Sequence, residues 1–151
     1  MRGKMKILTV LLLAFFMNAF AHDEGHGPKL KDVGKKGGRV TSVVLSKDAG
    51  KGAAAELVYK GEIIRSKDGK IKIYFYDKDM SPLKLEKFAK AAKATLISGK
   101  AGKETQKVFD LAFVTDHFEG MIPLPIPRRY NIDVRVSEAD KEFLAAFDNL
   151  D

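Results

Sequence analysis

Two hydrophobic patterns divide the chain. The run "ILTVLLLAFF" (Ile7 to Phe16) is apolar at every position but Thr9, whereas from Arg39 onward apolar and polar residues alternate in short segments. Alternation with period two marks strands with one buried face. "RVTSVVLS" (Arg39 to Ser46) and "AAELVYKG" (Ala54 to Gly61) read as strands flanking the loop "KDAGKG". In "EIIRSKDGKIKIYFYDKD", Asp68-Gly69 supplies hairpin-turn chemistry, and Ile71, Ile73 and Phe75 alternate with Lys72, Tyr74 and Tyr76. The outer pair Tyr74 and Tyr76 predicts a second buried sheet face or, as the rarer case, a binding platform.

Further along, "KLEKFAKAAKATLIS" joins helical spacing of Leu85, Phe88, Ala89 and Ala92 to the strand-like "KATLIS". One or two helical turns near residues 84–91, then a strand from Ala92 to Ser98, are expected. "ETQKVFDLAFVT" places Phe109, Leu111 and Phe113 on one face, and "RYNIDVRVS" does the same with Tyr130, Ile132, Val134 and Val136. Pro123, Pro125 and Pro127 force an extended path through "PLPIPRRY" and block ladder bonding there. That segment reads as a stiff connection; alternatively it presents Arg128 and Arg129 to an anionic partner.

The tail "SEADKEFLAAFDNLD" has two readings. Ser137 as N-cap, with Phe143, Phe147 and Leu150 at helical spacing, describes an amphipathic helix. A turn at "EADK" followed by a strand "EFLAAFDN" is the other, and we favour it because the preceding strand is otherwise a bare edge. About seven or eight short strands with turn signals between them define an all-β fold, an antiparallel β-sandwich.

Length and composition fit this single unit: the chain has 151 residues with no Cys and no Trp. Residues 1–21 read as a cleaved signal peptide, with Arg2, Lys4 and Lys6 before the apolar run and Ala19 and Ala21 as an A-x-A site. The run falls short of the roughly 20 residues of a spanning helix, so the product has no membrane span and is periplasmic or secreted. The mature chain would begin at His22. Residues 22–38, with five glycines in "HDEGHGPKLKDVGKKGG", read as a flexible lead-in, and residues 39–151 as the sandwich domain.

Cleavage removes Arg2, Lys4 and Lys6 with no acid, which lowers the formal charge from +7 to +4. Together with export this argues against a nucleic-acid partner, and the interleaved Lys and acid residues describe a solvated surface. There is no G-x-S-x-G elbow, P-loop, H-E-x-x-H or Cys nucleophile, so a non-enzymatic protein is expected.

The candidate chemistry rests on the three histidines, His22, His26 and His117. A free α-amine at His22, with pKa about 7.7–8, would close a chelate ring with its own Nδ1, a nitrogen donor set suited to Cu(II) ahead of Zn(II). His26 follows four residues later, and His117 lies between Asp116 and Glu119 in "VTDHFEG". Were the lead-in to fold back, His22, His26 and His117 would supply the metal ligands, with Asp116 or Glu119 as carboxylate ligand or supporting partner. The competing reading is a polar tail plus a lone structural histidine.

The order of "KGGRV" (Lys36 to Val40), "KIKIYFYDKDMSPL" (Lys70 to Leu83), "HFEGMIPL" (His117 to Leu124) and "YNIDVRV" (Tyr130 to Val136) resembles a loosely defined group of small exported immunoglobulin-like sandwich proteins found with heavy-metal efflux systems. The resemblance implies an immunoglobulin-like sandwich, and as partners metal-efflux or copper-handling proteins of the envelope. Lys36 stands where that pattern has a histidine, so the ligand implied there is missing. The expectation is an exported protein handling Cu(II) through His22, with a metal-free envelope interaction module as the alternative.

Overall fold

The computed structural model describes residues 26–151; the segment expected to be a signal peptide, His22, Asp23 and Glu24 lie outside the described residues. Eight strands follow one another: β1 (Arg39–Leu45), β2 (Tyr59–Arg65), β3 (Lys70–Tyr76), β4 (Ala91–Ser98), β5 (Thr105–Val114), β6 (His117–Met121), β7 (Tyr130–Glu138) and β8 (Lys141–Leu150). Short 3-10 segments occupy Ser46–Ala54 and Leu85–Lys87, the latter inside the stretch expected to be helical. Among the described residues no helix is long and apolar enough to cross a membrane.

The all-β class and the antiparallel pairing match expectation, but the sandwich does not. The strands close into one barrel in the order β1-β2-β3-β6-β5-β4-β7-β8, sealed by β8 on β1 through pairs such as Val43↔Ala145. The same alternation serves both architectures, because each buries one face of every strand. What separates them is which edges pair. Here β8 continues past the hairpin with β7 to cover the edge of β1, and β6 bridges β3 and β5, so closure removes the edges a sandwich would leave.

Local sequence explains the individual elements. Gly69, at φ 88°, closes the β2–β3 turn with its N–H on the Ser66 carbonyl at 3.1 Å. The tail is a strand, entered by a two-residue turn at Ala139 and Asp140 between the paired residues Glu138 and Lys141. The strand expected at Ala54 to Gly61 is displaced: β2 begins at Tyr59 and runs through the "EIIR" read as a separate arm. The 3-10 turns Ser46–Ala54 take up the residues before it.

The barrel is filled by the inward-facing set, including Ile71, Ile73, Phe118, Ile132 and Phe147, each fully buried. One end is plugged. Phe88, just after the Leu85–Lys87 turn, packs against Tyr59, Phe75 and Phe143 with ring centroids 5.7–6.3 Å apart. Edge-on and tilted ring contacts of this kind add to the burial of the rings themselves. At the opposite end the Pro-rich connection between β6 and β7 crosses beside the β2–β3 turn, where the Ile122 N–H donates to the Gly69 carbonyl at 2.9 Å.

Residues 26–38 have no regular structure yet lie against the barrel wall. Gly27 passes so close to Ser42 and Val44 that a Cβ there would stand 2.7 Å from Ser42 Cβ. This covers the outer side of β1 and explains why "SVV" breaks alternation: Ser42, Val43 and Val44 are all buried.

Candidate functional site

His117 opens β6 and is 7% exposed. Its Nδ1 lies 2.9 Å from Asp116 Oδ1 and its Nε2 3.2 Å from Glu119 Oε2. Its ring faces that of Tyr74 at 5.1 Å. Glu119 shares the His117 face of β6 because it is two residues on. Asp116 precedes the strand, in a turn where Thr115 has φ 56°, so strand alternation does not send its side chain away from His117. The hydrogen bond from His117 holds the Asp116 carboxyl below the usual range, with Lys36 helping through space. A second hydrogen bond, at His117 Nε2, then Lys70 at 3.5 Å, lowers Glu119.

The two carboxylates take opposite ring nitrogens. The three groups therefore satisfy one another and do not converge on a common point, and among the described residues no group of three or more His, Asp or Glu side chains could hold a metal. His26 is on another wall. Its Nδ1 lies 3.3 Å from the Ala49 carbonyl, beside a recess of about 270 Å³ shared with Thr95 on β4 and Asp133 and Arg135 on β7. Strands β5 and β4 separate β6 from β7, so the sphere expected from His26 and His117 together does not assemble. His26 stands in one place and His117, Asp116 and Glu119 in another; His22 lies outside the described residues.

A buried carboxylate that sequence reasoning passed over anchors the lead-in. Glu62, in β2, is 0% exposed. Its Oε1 accepts the Lys36 N–H at 2.9 Å and the Gly38 N–H at 2.7 Å, and its Oε2 accepts the Tyr76 hydroxyl at 2.7 Å. Burial, then the bond to Glu62, pushes the Tyr76 hydroxyl well above its ordinary pKa. Three charge-assisted bonds offset the cost of burying the carboxylate. Gly38 is required by approach: a Cβ there would meet the Ile63 carbonyl oxygen at 2.3 Å. Tyr76 thus belongs to a second buried face, while the Lys36 ammonium lies 5.3 Å from the Tyr74 ring. The signal was present in the sequence as one acid inside "YKGEIIR", flanked by residues of a strand.

The unplugged end carries a different arrangement. A groove of about 680 Å³ runs between residues 36–39, the β2–β3 turn, residues 126–128 and Asp151. Lys36, Arg39, Arg65, Lys67 and Arg128 line it, with Asp151 as the acidic residue. Two of these cations are positioned by oxygens of β7, β8 and the residue after β8. Arg39 donates to the carbonyls of Asp148 and, at 2.8 Å, Asn149. Arg65 donates to the Tyr130 hydroxyl at 3.0 Å and the Asp151 main-chain oxygen at 2.7 Å. Of the expected arginine pair, Arg128 enters this groove, whereas Arg129 lines a smaller recess with Asn131 and Asn149.

The fold and the site together define an eight-stranded antiparallel barrel with a cationic groove at its open end. No family model, curated protein or solved structure matches the chain.

Proposed function

We propose that the protein is an exported, non-enzymatic interaction module of the cell envelope that takes an anionic partner in the groove at the open end of its barrel, without metal. The observation that carries this reading is the convergence of Arg39, Arg65, Lys67 and Arg128, drawn from three separate stretches of chain, on one concave surface. Cations held in a groove concentrate field there and attract oppositely charged groups. Export rests on the apolar run and the "AFA" site. The test is calorimetric titration of the secreted protein, its N-terminus fixed by intact mass, with pyrophosphate and citrate in the presence of a chelator. Saturable binding of either anion supports the reading, and no heat change with both overturns it.

Copper handling is the second reading, favoured by His26 bordering the same recess as the buried Asp133, four residues after the proposed mature terminus at His22. On this reading His22 chelates Cu(II) through its amine and imidazole, His26 assists, and metal-efflux or copper-handling proteins are its partners, as the likeness to exported sandwich proteins implies. His117, Asp116 and Glu119 contribute least, since their hydrogen bonds to one another must break first. Electron paramagnetic resonance during a Cu(II) titration tests it: a signal unchanged by His22→Ala rejects the site.

A further inference from the structure

Resting on the anionic-partner reading, we infer that the groove is a site for a ligand bearing two linked phosphoryl groups, a diphosphate. Arg39 and Arg65 each spend Nη1 on carbonyl or hydroxyl oxygens of β7, β8 and the residue after β8, which fixes the planar groups and leaves their other N–H donors for a ligand. Lys67 in the β2–β3 turn and Arg128 in the Pro-rich connection line the same space from separate segments, and both are exposed. One carboxylate is satisfied by a single arginine fork in its own plane. A phosphoryl group has three terminal acceptor oxygens in a tetrahedral array and takes donors from several directions at once.

Charge and size favour two such groups over one. Five cations against the Asp151 side chain leave +4 in the groove (5 − 1), an excess that two linked phosphoryl groups offset more fully than one. A groove of about 680 Å³ exceeds the volume of one phosphate several-fold, and Ile64, Ile126 and Pro127 give it an apolar wall where a substituent on the diphosphate would lie.

The experiment titrates the secreted protein with pyrophosphate and with citrate, matched for charge, and separately sediments it with phosphatidylcholine vesicles carrying farnesyl diphosphate. Pyrophosphate binding at least tenfold tighter than citrate is expected, and Lys67→Glu with Arg128→Glu should weaken it at least tenfold. Lys100→Glu with Lys103→Glu, in the exposed β4–β5 turn, makes the same charge change and should weaken it less than threefold. Citrate equal to or tighter than pyrophosphate overturns the diphosphate assignment and leaves the anionic-partner reading standing; absence of binding by both removes both. An equal loss in the two double variants overturns the assignment to this groove. Sedimentation with the doped vesicles alongside pyrophosphate binding assigns a lipid-borne diphosphate, and pyrophosphate binding without sedimentation assigns a soluble one.

Discussion

The two ends of the barrel are built on opposite principles. At one, Phe88 closes the interior with an aromatic cluster of Tyr59, Phe75 and Phe143, so apolar burial dominates. At the other, five cations share a groove with one acidic side chain. Charges held together without matching acids cost stability, which makes the second end the place where binding is the better account of the residues. The comparison separates what keeps the barrel folded from what it presents.

Breaking the plugged end has the largest expected effect. Phe88→Ala should cost about 3–5 kcal/mol, as expected of a buried aromatic truncated in a packed core, read as a lower midpoint in urea unfolding. Anion binding by the protein that remains folded should be unchanged. A stability loss under 1 kcal/mol would show that the plug is loosely packed.

That plug was half legible in the sequence. Alternation located the strands and their inward residues, such as Ile71, Ile73 and Phe75, since period two is a local property. Closure was not legible: the β1–β8 and β3–β6 pairings join residues far apart in sequence, and a sandwich buries the same alternate positions. The site was less legible still. Glu119 on the His117 face follows from an i, i+2 spacing and was readable, but the Asp116 side chain depended on the Thr115 turn. Arg39, Arg65, Lys67 and Arg128 meet only because the Pro-rich connection crosses the β2–β3 turn, which no sequence pattern specifies.

The lead-in latch comes next in size. Glu62→Ala leaves the N–H groups of Lys36 and Gly38 and the Tyr76 hydroxyl without their acceptor, and should cost about 2–3 kcal/mol. Amide exchange should speed up at Lys36 and Gly38 more than in the β7–β8 hairpin. Uniform acceleration over the barrel would contradict the assignment of Glu62 to the lead-in.

A smaller effect is expected at the His117 cluster. Asp116 and Glu119 are both lowered in the folded protein, each by its own hydrogen bond with His117. Groups with depressed folded values contribute stability that is complete above the ordinary carboxylate pKa of about 4 and is lost as pH falls through the lower folded values. Melting temperatures from pH 6 to pH 2 should fall more steeply below pH 4 for the wild type than for Asp116→Asn with Glu119→Gln. Parallel curves would remove the cluster as a contributor.

Smallest is the effect of neutralising the open end. Lys67→Gln with Arg128→Gln should leave unfolding stability within about 0.5 kcal/mol of wild type, as for exposed positions, because neither side chain holds the barrel. A loss comparable to that of Phe88→Ala would make the two ends alike.

The most direct test of the distinction is amide chemical-shift mapping of the ¹⁵N-labelled protein during a pyrophosphate titration. The account predicts saturable shifts concentrated at Arg39, Arg65, Lys67 and Arg128, with Phe88, Phe143 and His117 unmoved. Shifts centred on His26 and His117, or spread evenly over the surface lysines, would contradict it.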